Sequence, residues 1–172
     1  VLTEKRRFGG SLADLDAVRK AVDLPILRKD FMIDDYQFYE ARAHGADVVL
    51  LIVAALSKNQ IEDYFHLAKE LGMRALIEVH TPLELESALD ISPEIIGVNS
   101  RNLKTLDVDA QAFAQLIPQI PSSIARVAES GISTREEVAF AHSHGATVIL
   151  VGEALVRAGD PRVAINQLLG RL

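Results

Sequence analysis

The sequence predicts an α/β fold, a (β/α)8 barrel with one strand missing. Two observations carry this expectation. Short, nearly continuous apolar runs alternate with amphipathic helical stretches, and the ends of those runs recur at regular intervals. Apolar runs without polar alternation mean that both faces of a sheet are covered, the mark of parallel strands. From Lys29 to Ile52, Glu78, Asn99, Ser130 and Gly152 the steps run from 21 to 31 residues, about one βα unit each. A complete barrel needs eight strands and about 250 residues. This chain of 172 residues offers seven runs, so a barrel lacking one strand fits better than an open sheet.

Val1-Leu2-Thr3 reads as the end of a strand. Ser11 with Asp14 then starts a helix, and Pro25-Ile26-Leu27 starts the next strand. The runs Val48 to Val53, Ala75 to Val79, Ile95 to Val98, Ile124 to Ala128 and Val148 to Val151 come after it. Ser57 with Gln60 and Thr134 with Glu137 have the spacing of capping boxes. Gly45, Gly72 and Gly145 stand where left-handed caps would end helices. Over 57–72, Ile61, Phe65, Ala68 and Leu71 share one helical face. The segment from Ala43 to Leu50 echoes that from Ser143 to Leu150, as repeated helix-to-strand turns would. No linker interrupts the pattern, and a single domain over 1–172 is expected.

Composition removes several function classes. A net charge of −6 argues against nucleic acid as a partner, which a basic footprint would serve. The lack of Cys closes disulfide and thiolate-metal readings. No apolar run approaches the ~20 residues of a membrane span, and no signal-peptide layout opens the chain. A cytoplasmic protein without a membrane partner is expected. No Gly-x-Gly-x-x-Gly follows a strand and no Gly-Lys-Ser/Thr occurs, so nucleotide fingerprints are absent.

In parallel α/β folds ligands sit at the carboxyl ends of the strands. Lys29 closes Pro25-Ile26-Leu27-Arg28. A Lys there is costly unless paired or used, and desolvation would suit it to general-acid work. It equally suits a structural pair with Asp30 or Glu78. Strand alternation places Leu76, Glu78 and His80 on one face, so Glu78 can face Lys29 as an acid–base partner or a plain counter-ion. His80 suits a loop or barrel mouth, and the five His residues are scattered without metal-ligand spacing. Asn99 and Arg101 offer an amide and a guanidinium for hydroxyl or carboxylate groups, or simply cap a loop. Glu129-Ser130-Gly131 and Gly152-Glu153 end the last two strands. Gly there lets backbone N–H groups approach an anion, and these loops often hold a phosphate in barrels. Glu153 would serve an anion only through its backbone N–H.

Taken together these segments resemble indole-3-glycerol phosphate synthase. The resemblance rests on Leu2-Thr3-Glu4 with Phe8-Gly9-Gly10-Ser11, Leu27-Arg28-Lys29-Asp30-Phe31, Leu50 to Val53 and Leu76 to His80. It continues through Gly97 to Leu103, Ala128 to Ile132 and Val151 to Leu155, in order over the whole chain. It implies a TIM-barrel carbon–carbon lyase of tryptophan biosynthesis that needs no cofactor or metal. The implied substrate is 1-(2-carboxyphenylamino)-1-deoxyribulose 5-phosphate, closed to an indole with loss of carbon dioxide and water. By this resemblance Lys29 protonates the ketone oxygen, Glu78 moves protons during closure or dehydration, and Glu129 orients its neighbours. Asn99 and Ser130 contact the anthranilate part or a hydroxyl, and Arg101 lies near the mouth. Gly131, Gly152 and Glu153 serve the phosphate, and Leu2, Phe8 and Leu50 wall the aryl slot.

The family also has an N-terminal extension and a first strand carrying a Glu, a Lys and a Ser-Pro-Ser phosphate motif, none of which is in this sequence. The expectation is therefore a chain with little activity alone, whose first strand another segment supplies. Two alternatives stand beside it. One is an incompetent barrel fragment that binds phosphate ligands or a complementary chain. The other is a different phosphate-binding barrel such as phosphoribosylanthranilate isomerase, against which the lack of Cys counts.

Overall fold

Six of the seven apolar runs form strands, and helices separate them. The computed structural model describes residues 1–103 and 105–171. In chain order the elements are α1 (Lys5–Phe8), α2 (Leu12–Ala21), β1 (Leu27–Arg28), α3 (Tyr36–Ala43), β2 (Val48–Ile52), α4 (Lys58–Glu70), β3 (Arg74–Val79) and α5 (Pro82–Asp90). Then come β4 (Ile95–Asn99), α6 (Gln111–Leu116), β5 (Ala125–Glu129), α7 (Arg135–Ser143), β6 (Val148–Leu150), α8 (Glu153–Arg157) and α9 (Pro161–Leu169).

Val1-Leu2-Thr3 departs from the strand expected there. It makes one parallel bridge, Leu2 with Lys29, through Lys29 N–H to Val1 O at 2.8 Å and Thr3 N–H to Lys29 O at 3.2 Å. The Val1 amino group adds a third bond, to Leu27 O at 2.6 Å, so the segment lies alongside β1 without forming a strand of its own. β1 is also shorter than its apolar run. Pro25 has no N–H to give, and the Ile26 N–H goes to the Asp47 carboxylate at 2.8 Å instead of a ladder.

The described residues form two compact units, Val1–Glu78 with Glu86–Ile95, and Val79–Leu85 with the chain from Ile96 onward. In the first, β1 pairs β2 in parallel from Leu27 opposite Val48, and β2 pairs β3 from Val48 opposite Arg74 to Ile52 opposite Glu78. Val49, Leu51 and Ile77 are wholly buried, as expected when helices cover the sheet. Leu15 of α2, Phe38 and Ala41 of α3, and Ile61, Phe65 and Ala68 of α4 bury their apolar faces. Each such Leu, Ile or Phe contributes about 1.5–3 kcal/mol.

In the second unit β5 pairs β6 in parallel, with Val127 opposite Val148 and Glu129 opposite Leu150. Phe113, Leu116, Ile117, Ala128 and Ala141 form its core. Val148 of β6, Val156 of α8 and Val163, Ile165 and Leu169 of α9 are exposed to solvent.

The helix ends obey local chemistry. Ser57 with Gln60 and Thr134 with Glu137 form complete capping boxes. Gly45, Gly72 and Gly145 have φ of 83°, 73° and 101°. Each closes its helix with paired hydrogen bonds of the Schellman type, as in Gly45 N–H to Arg42 O and Ala46 N–H to Ala41 O. The echoed segments therefore share a cap. They also share the entry into the next strand, since Asp47 N–H bonds Ile26 O and Thr147 N–H bonds Arg126 O, both at 2.9 Å.

Candidate active site

In the first unit the chemistry gathers where β1 and β3 end. Lys29 follows directly on Arg28, and its Nζ lies 3.3 Å from Glu78 Oε2. Glu78 is 1% exposed, while the Lys29 side chain keeps 27% of its surface. A carboxylate that far from water stays ionised only with compensation. The ammonium supplies part of it and keeps part of its side chain in contact with solvent. Asp30, the other partner that the sequence offers Lys29, is engaged elsewhere. Its Oδ2 accepts from Thr3 Oγ1 at 2.6 Å and Arg28 at 3.3 Å, and its Oδ1 accepts the Phe31 N–H.

His80 sits at the loop after β3. Its N–H donates to Glu84 at 2.7 Å and its ring Nδ1 lies 3.2 Å from the same oxygen. Burial works against ionisation of Glu84, but these hydrogen bonds outweigh it and hold the carboxyl below its ordinary range. Leu50 is buried on β2, whereas Leu2 and Phe8 are open to solvent. Phe8 stacks on Phe31 with ring centres 6.5 Å apart, and the Arg7 guanidinium lies 5.6 Å from the Phe31 ring.

In the second unit Asn99 ends β4, almost buried, and its Oδ1 accepts the Arg101 N–H at 2.9 Å. The Arg101 guanidinium donates to Leu106 O and pairs with Glu153, both at 3.2 Å. Glu153 also pairs with Arg157 at 3.0 Å. With its carboxylate taken up by two arginines, Glu153 can meet an anion only through its backbone.

Glu129, 1% exposed, ends β5. Ser130 and Gly131 then take φ of 65° and 63°, two left-handed residues in succession. Such a conformation costs a non-glycine residue about 1–2 kcal/mol, so Ser130 is strained where Gly131 is not. A Cβ on Gly131 would come within 2.4 Å of Val108 Cγ1 and 3.1 Å of Ser100 Oγ. Gly152 caps the first turn of α8, and a Cβ there would meet nothing within 4 Å. The space beside it is open.

Sequence reasoning passed over Arg28 and Ser100. Arg28 is 3% exposed and donates to Thr3, Asp30, Gln37 O and Glu40. Its signal was an arginine inside an apolar run, two residues before an aspartate. Ser100 donates its N–H to Glu129 O at 3.0 Å and its hydroxyl to Ser130 O at 3.1 Å, so it ties the β4 loop to the turn after β5. A serine in a loop carries no signal of that kind. Among the described residues no group of three or more His, Cys, Asp or Glu is placed to hold a metal ion.

Strands in chain order with polar groups at their carboxyl ends define an α/β protein of the (β/α)8-barrel class. Solved structures agree on the fold. A mutant tryptophan synthase alpha-subunit from Pyrococcus furiosus superposes with a TM-score of 0.73 at 20% identity, covering 93% of this chain and 72% of that one. The 3-hexulose-6-phosphate synthase from Salmonella typhimurium gives 0.72 at 18% identity, over 95% and 82%.

The family model for indole-3-glycerol phosphate synthase matches residues 1–168, and the chain belongs to that family. The indole-3-glycerol phosphate synthase of Micrococcus luteus is 57% identical over 166 residues, 96% of this chain and 62% of that protein. That of Kineococcus radiotolerans is 58% identical over 170 residues, 98% and 62%. The chain thus spans 62% of the length of these curated relatives.

Proposed function

We propose that the whole protein to which this chain belongs is an indole-3-glycerol phosphate synthase. It closes the pyrrole ring of 1-(2-carboxyphenylamino)-1-deoxyribulose 5-phosphate with loss of carbon dioxide and water. The observation that carries this reading is the Lys29–Glu78 pair, one ammonium part-open to solvent against one buried carboxylate. Lys29 protonates the ketone oxygen as the ring closes. That makes the carbonyl carbon electrophilic and leaves a hydroxyl where the oxygen was. Glu78 takes up and returns protons in closure and dehydration. Decarboxylation then proceeds from a cationic cyclised species that accepts the electron pair, so the reading requires no cofactor.

In the second unit Asn99, Arg101 and Ser130 hold the anthranilate carboxylate and hydroxyl groups, and Glu129 orients them. The backbone N–H groups of Gly131, Gly152 and Glu153 receive the phosphate. Two left-handed residues and an open Gly at a helix start are the geometry that presents such groups. Leu2, Phe8 and Leu50 line the aryl slot. The reaction belongs to the cytoplasm, without nucleic acid or membrane partners, in a chain of net charge −6. Among the described residues no helix is long and apolar enough to cross a membrane.

A further segment supplies the first strand with its Glu, Lys and Ser-Pro-Ser. Exposed Val148, Val163 and Ile165 are consistent with a face that such a segment covers. The test is product formation monitored by indole fluorescence, for residues 1–172 alone and with the family's N-terminal segment added in trans. Product only with the added segment is expected. A folded chain that makes no product in either case overturns the reading and favours a non-catalytic fragment.

A further inference from the structure

We propose that Arg28 is a positioning residue for Lys29, acting through a closed ring of side chains with Thr3 and Asp30. The proposal rests on the reading of Lys29 as the proton donor. Arg28 Nε donates to Thr3 Oγ1 at 3.1 Å, and the guanidinium reaches Asp30 Oδ2 at 3.3 Å. Thr3 Oγ1 in turn donates to the same Asp30 oxygen at 2.6 Å. One hydroxyl thus accepts from the arginine and donates to the aspartate. The rest of the guanidinium is anchored to α3, by Gln37 O at 3.0 Å and Glu40 Oε2 at 2.9 Å.

Lys29 lies between the two charged members of this ring. β1 is only Leu27–Arg28, so no long ladder fixes the peptide from which the Lys29 side chain springs. On its other side the backbone makes three bonds to the segment Val1–Thr3, from the Val1 amino group to Leu27 O at 2.6 Å, from Lys29 N–H to Val1 O at 2.8 Å and from Thr3 N–H to Lys29 O at 3.2 Å. The ring supplies what a longer ladder would. It ties residues 28 and 30 to each other and to Thr3, whose N–H bonds Lys29 O. Alternation along an extended chain turns Lys29 to the side opposite Arg28 and Asp30, and on that side it meets Glu78. A lysine has a long, rotamer-rich stem, so a fixed origin decides whether its ammonium stays on its partner. Arg suits this task where Lys would not, because its planar fork holds several acceptors in set directions.

The test uses the full-length synthase containing this sequence. Arg28→Lys keeps the charge and loses the fork. Thr3→Val removes one hydroxyl at nearly constant volume, and Thr3→Ser restores it. Arg28→Lys and Thr3→Val are expected to lower kcat tenfold or more at little changed KM, and Thr3→Ser to recover most of it. The alkaline limb of the kcat profile is expected to move to lower pH, because an ammonium drawn away from a carboxylate gives up its proton more readily. If Thr3→Val, or a folded Arg28→Lys, lowers Tm but leaves kcat and its pH profile unchanged, Arg28 is structural only and the proposal fails. Lys29→Met separates the two levels. Full kcat in Lys29→Met overturns the proton-donor reading itself, whereas loss of kcat there with unchanged profiles in the other variants overturns only the positioning role.

Discussion

The Lys29 ammonium and the Glu78 carboxylate form a lopsided ion pair, 3.3 Å apart, in which the carboxylate is sealed from water and the ammonium is not. The imbalance predicts different consequences for the two partners. In the full-length protein Lys29→Met is expected to reduce kcat about 10²- to 10⁴-fold, the usual worth of a positioned proton donor. The cost in stability is about 1–3 kcal/mol, because a buried carboxylate loses a charged hydrogen-bond donor. Glu78→Gln keeps the volume and removes the buried charge, so it is expected to lose a comparable factor in kcat with a smaller change in Tm. Steady-state kinetics with thermal melts of both variants check this.

Gly131 and Gly152 separate folding from binding. Gly131→Ala places a methyl against Val108 at a φ of 63°. The expected destabilisation is about 2–4 kcal/mol, from the left-handed backbone and the clash together. Gly152→Ala meets nothing and is expected to leave Tm within about 2 °C, in line with a surface change of about ±0.5 kcal/mol. If the phosphate approaches Gly152, the same variant raises KM several-fold. Melting curves and KM for the pair give the answer.

Ser130→Gly tests whether strain is held at a working position. The substitution relieves about 1–2 kcal/mol of left-handed strain and adds about 0.5–1 kcal/mol of chain entropy. Urea unfolding is expected to show no loss of stability. A rise in KM without loss of stability would show that the hydroxyl serves the ligand, and an unchanged KM would remove Ser130 from the site.

Glu137 carries a pH signature. Burial raises its pKa, but hydrogen bonds from Ser133 and Thr134 outweigh it and hold the carboxyl below the ordinary 4.5. A depressed folded value stabilises above the unfolded one. The contribution is therefore complete above about pH 4.5 and lost as pH falls through the folded pKa. Glu137→Gln is expected to reduce stability near neutral pH by about 0.5 kcal/mol, a capping effect discounted for solvent screening. The difference from the unsubstituted protein should vanish in acid, as denaturant titrations at about pH 7 and about pH 3 would reveal.

Caps and turns were legible in the sequence because their chemistry is local. Ser57, Thr134, Gly45, Gly72 and Gly145 act on residues within one turn, and each does in the structure what its type and spacing implied. The facing of Lys29 and Glu78 was legible too, since alternation and strand ends set it. The ring of Arg28 with Thr3 and Asp30 was not, because it joins residues 25 positions apart whose pairing no local pattern encodes. The left-handed turn at Ser130 was hidden for the opposite reason. Serine is not a residue type that announces such a conformation, so the surrounding contacts impose it. Val1-Leu2-Thr3 reads as a strand by composition, and in the structure it runs beside β1, bonded to Leu27 and Lys29, without forming a strand of its own.

The strand pairings within each unit carry a consequence for the entropy of closing the chain's loops. Leu27 meets Val48, Val48 meets Arg74, and Val127 meets Val148, each the next strand along. The Schellman turns before β2, β3 and β6 close on still shorter segments. Pairing each strand with the next keeps every loop that must close to about one βα unit, the smallest entropic cost that a parallel pairing allows. The partners that hold Arg28, from Thr3 to Glu40, all lie before β3 in the chain, so the backbone around Lys29 is set by residues that come 38 or more positions ahead of Glu78.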